Sequence, residues 1–284
     1  MRIMLAVDDN PYSLDLVKEV SKIIFNTWAD IIILGIDTRN NANLGQPQDL
    51  MKLLLDYRAI LLSAYKEDDE CPYSRNRIEK IVEKKQGVYE GYVEGGLKEC
   101  KLIVRSGIPH KEILQQANED ETDLIILGCN KKSSCQWDEQ DVPLKVVNNA
   151  LCSVLVVKEN TVPENIVCCL DHDKISQNSL QLINQMATVY NAELKLVGIS
   201  NGDVLSLKVE KTMQQLFDYY THRNITSWLE VVDRSILFAF INQAAQQDLV
   251  ALWIGNNSFL NRIFPHERVS HLLKNSHSSL LFLR

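Results

Sequence analysis

Two acidic clusters invite a chemical reading first. Asp8-Asp9 and Asp171-His172-Asp173 each follow a short apolar run, as carboxylates do at the exit of a buried strand. Paired carboxylates can hold a metal or divide acid and base roles, but adjacent residues rarely point at one atom, so loop polarity is the simpler account. His266, His271 and His277 are spaced by five and six residues. Two metal ligands on one helical face would sit three or four apart, so a solvated helix face accounts for these histidines. Cys129 and Cys135 flank a lysine–serine stretch without a second pair, which argues against zinc. No Walker-type loop, GxSxG elbow or HExxH helix is present. The pattern supports neither an enzyme nor a metal site.

The elements that would position these residues occur twice. Met1–Ile36 aligns with Glu164–Ile199 at an offset of 163, matching Asp8 to Asp171, Ser13 to Ser176 and Gly35 to Gly198. Leu102–Gly128 aligns with Leu229–Gly255 at an offset of 127, so the first copy carries 163 − 127 = 36 extra residues. A repeat this long is a domain duplication, since solenoid periods run only about 20–50 residues. In each copy short apolar runs alternate with helical periodicity, which implies a parallel sheet covered on both faces. Ser13 reads as the N-cap of the first helix. The polar segment 158–164, with Pro163, reads as a linker. The expected domains are 1–158, with a helical insertion at about 40–97, and 159–284.

With 284 residues, 45% of them hydrophobic, the chain can bury two cores. A net charge of −7 and a pI near 5.4 argue against a nucleic-acid partner. No apolar run approaches the ~18 residues of a membrane span, so no membrane contact and a cytoplasmic location are expected. Seven cysteines, an odd number, form no disulfide framework and are expected as reduced thiols. Within the extra residues, Leu50–Tyr65 and Arg75–Val93 read as two helices joined by the acidic turn EDDECPYS. The first is apolar enough to need a surface to cover. Packing on its own domain is the favoured account, with docking to the other copy or to a second chain as the alternative.

Strands ending in Asp with a serine five residues on, then "VRSGIPHKEILQQANEDETDLIILG" and a closing "ALCSVLVVK", resemble the universal stress protein family, over the whole length of its tandem members. The resemblance implies an α/β fold of two tandem Rossmann-like, adenine nucleotide alpha hydrolase-like domains. Each has five parallel strands in the order 3-2-1-4-5. It also implies pairing through the fifth strands, internally between the domains or in a homodimer.

In nucleotide-binding members of that family, the first-strand Asp and the end of the second strand hold adenine. A loop after strand four, with two spaced glycines and a later Gly-Ser or Gly-Thr, holds ribose and phosphates. Here Asp8 and Ile36, and Asp171 and Ile199, match the adenine side, while Gly128 and Gly255 match the first glycine of the loop. Lys131 and Ser258 stand where the second glycine would be, and no glycine occurs between Gly128 and Gly198 or after Gly255. Asp138, Glu139 and Asp141 place negative charge where phosphates need donors. The first pocket (Asp8, Ile36, Gly128, Lys131) is therefore expected to be vestigial. In the second, Asn256, Asn257, Ser258 and Arg262 could still meet an anion, beside Asp171, Ile199 and Gly255.

The resulting expectation is a non-enzymatic stress-response or regulatory binding protein with degenerate ATP-binding loops and no cofactor, ATP or AMP being confined to the second domain. One alternative is a nucleotide sensor or weak ATPase using the second pocket. Another is a scaffold recruiting a protein partner, not identified by the sequence, through the helical insertion.

Overall fold

The apolar runs form strands whose residues are nearly all buried, as a parallel sheet sandwiched between helices requires. The structure is a computed structural model and describes residues 1–38, 47–66, 70–78, 80–91, 93, 95–130, 135–137, 140–158, 162–169, 176–202, 205–254 and 260–284. In chain order the first elements are β1 (Arg2–Val7), α1 (Pro11–Thr27), β2 (Asp30–Asp37), α2 (Pro47–Ser63), β3 (Ile81–Lys85), β4 (Val88–Gly91), β5 (Cys100–Ser106), α3 (Pro109–Glu119), β6 (Leu124–Cys129), α4 (Val142–Asn149) and β7 (Ser153–Lys158). There follow β8 (Asn165–Cys169), α5 (Gln177–Tyr190), β9 (Glu193–Ser200), α6 (Leu207–Thr221), β10 (Ser227–Asp233), α7 (Leu237–Ala244), β11 (Leu249–Trp253), α8 (Leu260–Ile263), α9 (His266–Asn275) and β12 (Leu280–Leu283). One compact unit holds Met1–Asn130 with Ser134–Val154, and the other holds Leu155–Arg284.

In the first unit the strand order is β5-β2-β1-β6, the 3-2-1-4 part of the arrangement the family resemblance implies. Ile3 of β1 pairs in parallel with Ile31 of β2 and with Leu124 of β6, and Ile31 pairs with Cys100 of β5. α1 buries Leu16, Val17, Val20, Ile23 and Ile24 against this sheet. It ends at Trp28, whose left-handed backbone lets its N–H reach the Ile24 carbonyl. The second unit repeats the order as β10-β9-β8-β11-β12. There α5 begins at Ser176, whose hydroxyl accepts the Ser179 N–H.

The extra residues of the first copy form one helix and one hairpin. α2 does form and packs on its own unit, against α1, β2 and β5, with Leu54 and Leu61 buried. The segment around 40–97 is not wholly helical, however, because the expected helix over Arg75–Val93 is replaced by a hairpin. β3 and β4 pair antiparallel, and β4 adds antiparallel to the outer edge of β5. Gln86-Gly87 makes the turn, with Gly87 at φ 74. The β-branched and aromatic residues Ile81, Val82, Val88 and Tyr89 suit a pleated surface, and an open edge supplies the backbone partners a short helix would have had to find within itself.

Ser13 is not the N-cap of α1. The helix starts at Pro11 and Asn10 takes the cap position. The Ser13 hydroxyl is engaged elsewhere, by the carboxylate of Asp8.

Candidate functional site

β1 delivers Asp8 to the carboxyl end of the sheet, where the chain turns into α1. The carboxylate is almost fully buried and its oxygens are occupied. Oδ1 accepts the Ser13 hydroxyl at 2.7 Å and the Asn10 N–H at 3.2 Å. Oδ2 accepts the Asn10 amide at 2.6 Å and the Tyr12 hydroxyl at 3.4 Å. From α2, the buried Tyr57 hydroxyl donates to the Asp8 carbonyl at 3.2 Å. Burial, followed by the charges of Asp8 and Asp9, pushes that phenol up to about 12. Each carboxylate oxygen thus accepts two bonds from its own loop.

Gly128, at the end of β6, has its N–H bonded to the side-chain oxygen of Gln136 at 3.0 Å, and its carbonyl accepts the Gln136 N–H at 3.1 Å. The Gln136 amide nitrogen donates in turn to the Ser13 hydroxyl at 3.1 Å. Gln136 is fully buried. The backbone donor that would meet a ligand oxygen in a nucleotide loop is thus satisfied by a side chain from the same chain. Gly128 is small for a packing reason as well, since a Cβ there would meet Leu16 Cδ2 at 3.0 Å.

Cys129 and Cys135 are joined by a disulfide across an antiparallel bridge, with Cα atoms 3.9 Å apart. This corrects the expectation of thiols throughout, because the turn back along β6 brings residues six apart in sequence face to face. Lys131, Asp138 and Glu139 lie outside the described residues.

Ile36 sits buried in β2, paired with Arg105 of β5. Arg105 is 2% exposed and binds Glu112 at 2.7 Å, Gln116 at 2.7 Å and Glu119 at 3.0 Å, all on α3. The one sequence signal for this cluster is an arginine inside the apolar run of a strand. Burial raises the Glu119 carboxyl, but bonds from Lys85, Gln115 and Arg105 outweigh it and bring the group down to about 2.

In the second unit, Ile199 is buried in β9 and pairs with Val232 of β10. Arg262 is exposed on α8 and lines a cleft with Asn201, Gly202 and Asp233 at the carboxyl ends of β9 and β10. Asp171, Gly255, Asn256, Asn257 and Ser258 lie outside the described residues. His266 and His271 are exposed on α9, as a solvated face requires. Among the described residues no cluster of three or more metal-ligating side chains occurs.

A profile of the universal stress protein family matches residues 1–158. No curated protein sequence matches the chain. In fold the chain is similar to a universal stress protein from Archaeoglobus fulgidus DSM 4304, with 11% identity, a TM-score of 0.63, and coverage of 100% of this chain and 96% of that one. It is also similar to a functionally unknown protein from Pseudomonas aeruginosa PAO1, with 14% identity, a TM-score of 0.56, and 99% and 92% covered. A third similar structure is the cytoplasmic domain of a prokaryotic cation chloride cotransporter, with 13% identity, a TM-score of 0.52, and 99% and 94% covered. At these identities the likeness is one of fold.

Proposed function

The chain belongs to the universal stress protein family, and from that premise we propose that it is a non-enzymatic stress-response binding protein whose first nucleotide pocket is closed by its own side chains. The observation that carries this reading is the Gln136 amide bonded to both the Gly128 N–H and the Ser13 hydroxyl. An incoming phosphate would have to displace a buried amide whose bonds it could not improve. The loss of glycines after Gly128 supports the same reading.

Hydrogen exchange on the intact chain, with and without millimolar ATP, tests it. The amides of Asp8, Asn10 and Gly128 should exchange at the same rate in both, and no phosphate should be released. ATP-dependent protection at Gly128, or ATP turnover that Gln136→Ala alters, would sink the reading.

A second reading, a nucleotide sensor or weak ATPase taking ATP or AMP in the second unit, is favoured by Arg262, which faces an open cleft. A cytoplasmic location, pairing of the two domains within the chain, a homodimer and an unidentified protein partner belong to the same proposal. The described residues contain no helix long and apolar enough to cross a membrane.

A further inference from the structure

We infer that the first unit binds an amphipathic organic anion, an apolar body carrying a carboxylate, in a cavity between α2 and the segment 71–78. The cavity measures about 510 Å³, within the usual range of roughly 300–1,000 Å³ for small-molecule sites. One part of its lining is apolar. Leu55, Ala59 and Leu62 recur along α2 at helical spacing, and none of the three is in the core, where α2 buries Leu54 and Leu61 instead. Both elements belong to the extra residues of the first copy, and the cavity shares no lining residue with the Asp8 and Gly128 region.

The segment facing α2 is fixed before any ligand arrives. The Tyr73 hydroxyl donates to the Ala29 carbonyl at 2.6 Å, and the Pro72 carbonyl accepts the Lys98 N–H at 2.9 Å. The Tyr73 ring also stands edge-on to Tyr65, with centroids 6.0 Å apart. Arg75 ties the segment to the chain beyond α2, donating to the Tyr65 and Lys66 carbonyls at 3.2 and 2.7 Å. A wall held in this way loses little freedom on binding.

Arg58, from α2, supplies the charge. It lines the cavity and is only 7% exposed, and a buried charge is ordinarily paired because an uncompensated one is costly. One of its nitrogens donates to the Ser74 carbonyl at 2.5 Å, while its Nε is buried with no acceptor. The guanidinium also meets the Cys100 thiol. Burial pushes that thiol up to about 11 against the lowering effect of Arg58, so it stays neutral and does not cancel the charge. Arg77 lines the same cavity, exposed, and has no hydrogen bond or ion pair among the described residues. The neighbouring acids Glu67, Asp68, Asp69 and Glu79 lie outside the described residues, and the site is built without them.

Two guanidiniums beside an apolar stripe match a carboxylate at the end of a hydrocarbon chain. The planar fork takes carboxylate oxygens in pairs, while the chain removes Leu55, Ala59 and Leu62 from water. A bare inorganic anion would leave the stripe wet, and a neutral hydrocarbon would leave the guanidiniums unanswered.

Decanoate is the probe, titrated calorimetrically into the intact chain below its micelle-forming concentration. A single saturable binding event is expected, weakened about tenfold by Arg77→Gln. Ala59→Phe, which fills the cavity from an exposed position, should abolish it. Both positions are exposed, so both variants should melt with the wild type. Arg58→Gln should weaken binding about a hundredfold; because Arg58 is buried, the two exposed variants decide the outcome if this one unfolds. Decanol, the same chain without the charge, should bind at least about tenfold more weakly. Absence of saturable decanoate binding, equal affinity in the wild type and either exposed variant, or decanol binding as tightly as decanoate overturns the assignment.

Discussion

Cys135 and Gln136 of the first unit stand where the second unit, at the offset of 127, has Arg262 and Ile263. By the same offset Asp141 corresponds to Arg268 and Gly107 to Arg234. One sheet order therefore supports two unlike ends. In the first unit Cys129 is joined to Cys135, the Gln136 amide is buried against Gly128, and Asp8 is bonded within its own loop. In the second, three arginines line an open cleft. The two halves share the apolar periodicity that folds each of them and differ at their strand ends. Side chains at those ends contribute little to the core and a great deal to what can bind.

A second contrast lies at the third strand. β5 carries the buried Arg105 and is covered on its outer edge by β4. Its counterpart β10 has Val232 at the matching position and ends the sheet order, with Trp228, Leu229 and Val231 exposed. The extra residues of the first copy thus shield an edge that the second copy presents to solvent.

The largest expected effect comes from exchanging Arg105 for its counterpart. Arg105→Val leaves Glu112 and Gln116 without their donor and should cost the first unit about 3 kcal/mol, read as an earlier urea transition. Adding Glu112→Ala and Glu119→Gln, which install the residue types found at 239 and 246, should recover at least ~1 kcal/mol. If the single and triple variants are equally unstable, packing rather than stranded charge is the cause.

Gln136→Ala comes next. It removes the acceptor of the Gly128 N–H and should cost about 1–3 kcal/mol, the usual cost of an unsatisfied buried donor. A neutral result in thermal melting would mean that water replaces the amide, and that the closure of the first pocket is weaker than its hydrogen bonds imply.

The smallest effect is acid-dependent. The folded Glu119 carboxyl, at about 2, lies below its ordinary 4.5. Its contribution to stability is therefore complete above pH 4.5 and lost as pH falls toward about 2. Solvent reaches 38% of the side chain, so screening keeps the effect small. Stability measured across that window should fall more steeply in the wild type than in Glu119→Gln. Identical slopes would remove Glu119 from the network's energetics.

The internal register, the alternation of strands and helices and the absence of glycine between Gly128 and Gly198 are all legible in one dimension. Burial imposes a period on the chain, and a missing glycine is visible without coordinates. The hairpin over Ile81–Gly91 was not, because a short amphipathic segment fits both periods and the open edge of β5 decides between them. The Cys129–Cys135 bridge needed the chain to reverse against β6. Asp8 was identifiable as a strand-end acid, but whether it faces a ligand or its own loop depended on Asn10, Tyr12 and Ser13 closing around it. Gln136, Arg234 and Arg268 carry no local pattern, whereas Arg262 falls in the loop that the sequence marks. An amide's partner, and the convergence of guanidiniums from three separate segments, are set by how distant parts of the chain pack, and only the tertiary structure holds that information.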